Sequence, residues 1–223
     1  MRQAIFYKEW IKTRWYFFLA TLISWGFVSY SLLKINRVIN FKGAGHLWEV
    51  MLERDVVFID LLTYLPLIIG TLFAIVQFVP ETQQSRLKLT LHLPCQHYQM
   101  IFRMLLFGIL LLTGCFISNY IILSAYLEQI MTTELLRRIL LTALPWYIAG
   151  ITSYLLTAWI CLEPTWKRRI VDILVTAGVL RIFFLSSVPE AYNRFLPILI
   201  VYTLLICLLP MLSVYRFKTG KQD

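Results

Sequence analysis

Charged side chains are scarce in this sequence. They make up 15% of its 223 residues, against about 25% in an average soluble domain. Histidine occurs three times, as His46, His92 and His97, and cysteine four times, as Cys95, Cys115, Cys161 and Cys207. No C-x-x-C pair is present, which speaks against a zinc or dithiol site and leaves the cysteines as small packing residues. There is no H-E-x-x-H and no G-x-S-x-G, so zinc-protease and serine-hydrolase chemistry lack their residues. None of the histidines is central in an apolar run, which argues against a bis-histidine haem carrier. Also missing is G-x-x-x-x-G-K-[ST], the loop that cradles nucleotide phosphates. No Gly/Ser-rich linker or repeat divides the chain, which reads as one domain over 1–223.

What is abundant is apolar surface. Hydrophobic residues are 59% of the total and the mean hydropathy is +0.72. A soluble fold could not hide this much of it, so lipid must cover part. Six stretches reach the roughly 20 residues needed to cross a bilayer: 15–33, 56–79, 98–126, 139–162, 170–188 and 195–215. The fifth is the weakest, because it carries Asp172 and Arg181. Pro66, Pro145, Pro197 and Pro210 lie within these runs and predict kinks. The first run lacks a small-residue cleavage site and reads as a retained span rather than a signal peptide. The expected fold is all-α and polytopic, with six transmembrane helices.

The net charge of +9 sits in short clusters between apolar runs, and no recognition module for nucleic acid accompanies it. With the N-terminus inside, thirteen lysines and arginines fall on inner connections, seven on outer ones, and Arg181 is left within a span. That bias predicts both termini in the cytoplasm.

Two inner segments stand out. In the first, about 3–14, Ala4, Tyr7, Ile11 and Trp15 share a helical face, with Lys8, Glu9 and Lys12 roughly opposite. This predicts an interfacial amphipathic helix ahead of the first span. The second is the connection 80–94. Its Leu87 and Leu91 are spaced i, i+4 and Pro94 is a reasonable stop, so a short amphipathic helix over 81–93 is favoured over a strand with unpaired edges.

Elsewhere, Arg181 and Asp60 are the candidate pathway residues: Arg181 could meet an anionic substrate, pair with Asp60 or snorkel. Asp172 is expected to pair with Lys167, Arg168 or Arg169, or to sit favourably near a helix N-terminus. Gly70 with Ala74 and Gly114 with Ser118 are small-x-x-x-small pairs. In the outer loop 36–56, spacing allows a short surface helix around Leu47, Val50 and Met51.

Together, Glu81, the polar run 82–85, Leu87, Leu89, Leu91, Leu93 and Pro94, followed by Gln96, His97 and Arg103, resemble the coupling segment of the permease subunits of type-2 ABC exporters. The layout is similar too: an N-terminal elbow helix (1–14), six spans and a coupling segment (81–93). Ser85 and Arg86 stand where a Gly-Thr step is usual. The resemblance implies a bacterial inner-membrane exporter subunit of the compact kind. It would bind no cofactor itself, leave ATP-Mg to a separate ABC ATPase subunit, and pair with a second permease chain. Glu81, Arg86, Leu87, Lys88 and Leu91 would then face the ATPase. A non-transporting membrane scaffold for an ATPase or assembly complex is the alternative.

Overall fold

A computed structural model describes the backbone of residues 2–53, 59–83, 97–186 and 188–218 and the side chains of 5–41, 59–82, 98–186 and 188–216. Among these residues the fold is all-helical, without strands. The helices are α1 (Arg2–Glu53), α2 (Leu65–Gln83), α3 (His97–Leu127), α4 (Thr133–Leu162), α5 (Trp166–Arg181), α6 (Leu196–Ile206) and α7 (Leu209–Lys218). Single 3-10 turns at Asp60–Leu62 and Ile182–Phe184 precede α2 and follow α5.

Five described segments are long and apolar enough to cross a membrane: Ile5–Phe41, Asp60–Thr82, Tyr98–Leu127, Thr133–Leu162 and Leu196–Arg216. The expected fifth span, 170–188, corresponds to the 16-residue α5 and its 3-10 turn and is not among them. The surface pattern is that of a chain dissolved in lipid. Trp15, Leu22, Leu174 and Leu204 are about two-thirds or more exposed, while Glu9, Gln77, Asn119 and Thr152 are fully buried. Such inversion is costly in water, where an unpartnered apolar surface of this extent marks contact with another apolar phase.

α1 departs from the sequence expectation at both ends. No break near Arg14 separates an elbow helix from the first span, and the expected outer loop from Asn36 is helical through to Glu53. The cause is local: no proline precedes Pro66, so nothing removes an N–H or places a ring against a carbonyl along this stretch. At about 1.5 Å per residue the helix is roughly 78 Å long. That is more than twice the roughly 30 Å hydrocarbon core of a bilayer.

The prolines also act differently from expectation. Pro66 and Pro197 are the second residues of α2 and α6, where a missing N–H costs nothing because first-turn donors are unpaired anyway. They start helices and do not kink them. Pro145 lies inside the unbroken α4. Pro210 divides the last rod. Its ring would meet the carbonyl four residues earlier, and α6 ends at that residue, Ile206. The chain tightens there through Cys207 N–H to Leu204 O (3.2 Å) and Leu208 N–H to Leu205 O (3.1 Å) before α7 begins.

α4 is the central post and packs against α2, α3, α5, α6 and α7, while α1 packs on α2 and α3. Two ends follow from the contacts. At the basal end α1 and α3 begin, α2 and α4 finish, α5 begins and α7 lies; Lys12 reaches Glu81, and Arg216 reaches Glu163. At the distal end the ring of Phe184 stacks on Tyr64, 4.9 Å between centroids, and Glu190 N–H donates to Thr142. α5 with its 3-10 turn therefore runs the full distance between the two ends.

The tightest crossing is between α2 and α4. A Cβ added at Gly70 would overlap the Gly150 carbonyl oxygen, and one added at Gly150 would stand 2.8 Å from the Pro66 carbonyl oxygen. Ser153 closes the same crossing by donating to Leu67 O at 2.9 Å. Gly70 thus performs the close-packing role its spacing suggested. Gly114 does not, since nothing lies within 4 Å of a Cβ there. We expect Gly70→Ala to lower the melting temperature in detergent, at a cost of about 1–3 kcal/mol from overpacking, while Gly114→Ala leaves it unchanged or slightly higher. A Gly70→Ala protein melting like wild type would contradict this packing.

Candidate functional site at the basal end

The first turns of α1 carry Glu9 and Thr13 four residues apart, hence on one face. Both are fully buried. The opposite, apolar face is outside: Tyr7 is 67% and Trp15 72% exposed. The segment therefore lays its polar face on the bundle and gives its greasy face to the surroundings. Thr13 donates to Glu9 O at 2.8 Å, and Phe6 meets Phe107 edge-to-face with centroids 5.5 Å apart.

That docking places Lys12 between two carboxylates. Its Nζ lies 3.0 Å from Glu81 Oε1 and 3.2 Å from Glu9 Oε2. Lys8, half-exposed, adds a second ammonium 2.9 Å from Glu81 Oε1. Gln77, one turn before Glu81 on α2, donates to Glu9 Oε2 at 3.1 Å and to Met104 O at 2.9 Å. Its own carbonyl accepts from Tyr154 Oη at 2.8 Å. One continuous network thus crosses from α1 through α2 to α3 and α4. Gly108 makes room for it, since a Cβ there would collide with the Tyr154 hydroxyl. Each member satisfies another that burial has removed from water, which is what makes such a network worth more than its parts. Glu81 Oε2 is buried without a hydrogen-bond partner among the described residues.

A second basal cluster joins α4, α5 and α7. The buried Glu163 carboxylate accepts from Ser213 Oγ and lies 3.6 Å from Arg216 Nη1. Arg169 Nη2 donates to Glu163 O at 2.7 Å and its guanidinium lies 5.0 Å from the Trp166 ring centroid. Asp172 is buried but forms no ion pair with Lys167, Arg168 or Arg169 among the described residues. Arg169 is committed instead to the Glu163 carbonyl at the end of α4.

Of the sequence-predicted positions, Glu81 is at the centre of the basal network. Arg86, Leu87, Lys88 and Leu91, with the segment 84–96, lie outside the described residues. Asp60 and Arg181 both reach the distal end, yet no ion pair joins them: Asp60 borders a cavity, and Arg181 is exposed at the last turn of α5. No group of three or more metal-ligating side chains occurs among the described residues. The residues missed in the sequence are Gln77, Tyr154 and Glu163. Gln77 carried a usable signal as a lone amide inside an apolar run, since polar side chains there face protein and not lipid. Tyr154 carried none, because its partner is 77 positions away.

No protein-family model, curated protein or solved structure matches this chain.

Removing the Tyr154 hydroxyl strands the Gln77 carbonyl away from water. Tyr154→Phe is expected to cost about 1–3 kcal/mol, seen as a lower melting temperature in detergent. Tyr30→Phe, at a residue 59% exposed, is expected to leave it unchanged. Equal melting of Tyr154→Phe and wild type would contradict the network.

Proposed function

We propose that the chain is the transmembrane subunit of an ABC-type exporter in a bacterial inner membrane. Its inner segment 81–93 couples to a separate ATPase subunit that holds ATP-Mg, and a second permease chain completes the pathway. One observation carries this reading. Glu81, the first residue of the candidate coupling segment, is gripped by Lys8 and Lys12 from the first turns of α1. An N-terminal segment and a coupling segment joined in this way would move as a unit, and Gln77 and Tyr154 would pass that movement to α3 and α4.

The antiparallel order supports the same reading. α5, running between the basal and distal ends, would serve as the sixth crossing and leave both termini on the cytoplasmic side. Arg86, Leu87, Lys88 and Leu91 extend the proposed ATPase contact beyond Glu81. The unpartnered Glu81 oxygen offers an acceptor to a donor from that segment or from the docked subunit. ATP would drive the cycle only through its differential affinity for the two states of the bundle.

The test is co-reconstitution with the cognate ATPase in liposomes. The wild-type chain should stimulate ATP hydrolysis. Arg86→Ala should insert normally yet lose most of that stimulation, and Glu81→Ala should insert but lose both the stimulation and basal stability. Full stimulation by both variants would remove the coupling assignment, and ATP turnover with no cargo movement would favour a membrane scaffold.

A further inference from the structure

The distal end holds a cavity of about 150 Å³ between the 3-10 turn before α2, the first half of α4 and the connection from α5 to α6. Pockets for whole drug-sized ligands start at roughly 300 Å³, so this one has room for a headgroup of a few heavy atoms. Its walls are chemically one-sided. Asp60 and Glu190 are the acidic residues of its lining, and Tyr64, Trp146, Phe184 and Tyr192 the aromatic ones. No lysine, arginine or histidine stands among its described walls.

The walls are built, not loosely gathered. Tyr64 and Phe184 stack with ring planes 28° apart. The Tyr192 hydroxyl accepts from the N–H groups of Leu185 (2.9 Å) and Ser186 (3.2 Å) and donates to Ile182 O (3.0 Å). Glu190 has a φ of 62°, a left-handed conformation uncommon for a residue with a side chain, and its N–H is held by Thr142 Oγ1 at 3.3 Å. The connection is thereby fastened to α4 on one side and to itself on the other.

We propose that this cavity binds a substituted ammonium group. Aromatic faces attract such cations through the ring quadrupole, most strongly when water is displaced. Two acidic residues, with no basic one among the described walls, add a field of the right sign. The same walls repel an anion. They also suit a metal ion poorly, since calcium takes six to eight oxygen ligands and rings fill much of this surface. The inference is independent of any ATPase, because binding is measured on the chain alone.

The experiment is calorimetric titration of choline chloride into the purified protein in phosphatidylglycerol nanodiscs. Saturable binding is expected. The neutral isostere 3,3-dimethylbutanol should bind at least about tenfold more weakly, as expected if charge supplies the attraction. The double variant D60N/E190Q, with a melting temperature confirming its fold, should lose about tenfold or more. Glu134→Gln, an exposed carboxylate outside the cavity, should bind choline as wild type does. Repeating the titration in nanodiscs containing phosphatidylcholine separates two sources of the same group. Unchanged affinity identifies a free cation, and a tenfold loss identifies a lipid headgroup already in place. Equal binding of the neutral isostere, displacement of choline by calcium at matched ionic strength, unaltered binding in D60N/E190Q, or no saturable binding would overturn the proposal.

Discussion

Lys12 stands between two carboxylates that the bundle has taken out of water. Glu9 and Glu81 come from different helices; Lys12 reaches both and Lys8 joins it at Glu81, so neither is left as an unpaired buried charge. The pair also fixes geometry, because Glu9 can reach Gln77 only when the first turns of α1 lie against α2. From Gln77 the constraint passes to the Met104 carbonyl and to Tyr154. The placement of four helices at the basal end thus follows from how Glu9, Glu81 and Gln77 are satisfied together. The polar network selects this arrangement more than it stabilises it. Apolar packing would hold helices together equally well, but it would not say which turn of α1 meets which turn of α2.

The rest of the bundle is organised for the opposite requirement, close approach without charge. At the α2–α4 crossing, Gly70 and Gly150 let backbones meet and Ser153 adds a hydrogen bond to Leu67 O. Thr152 and Thr203 pair at 2.8 Å between α4 and α6, and Asn119 donates to Ser24 at 2.5 Å between α3 and α1. These are the devices expected where lipid removes the hydrophobic drive between helices and leaves van der Waals contact and hydrogen bonds. The distal end differs again: Asp60 and Glu190 border a cavity and form no ion pair among the described residues. The basal end thus gathers most of its buried charge into pairs, with Glu81 Oε2 left over, while the distal end sets two acidic residues beside open space.

Much of the architecture was legible from hydropathy alone. The third run, expected at 98–126, is the helix His97–Leu127, because a long apolar stretch without proline has few alternatives in lipid. The boundaries failed where one residue type carries two meanings. Pro66 and Pro197 read as kinks inside apolar runs, yet each opens a helix, since a proline in the first turn loses no hydrogen bond. The loop expected after Asn36 rested on polarity, and polarity does not end a helix that lacks proline, even across Gly43 and Gly45. Glu81 was recognisable as an acidic residue at the mouth of a connection. Its grip by Lys8 and Lys12 was not, because they lie about seventy residues away in sequence and meet it only through tertiary packing.

The most direct measurement of the basal constraint is a double-mutant cycle on Lys12→Met and Glu81→Gln, read as unfolding free energy in detergent. If Lys12 and Glu81 satisfy each other as described, each single change is strongly destabilising and the double change costs clearly less than their sum, with a coupling of about 1–3 kcal/mol. Additive effects within about 0.5 kcal/mol would mean that the two side chains do not depend on one another, and that the docking of α1 has another cause.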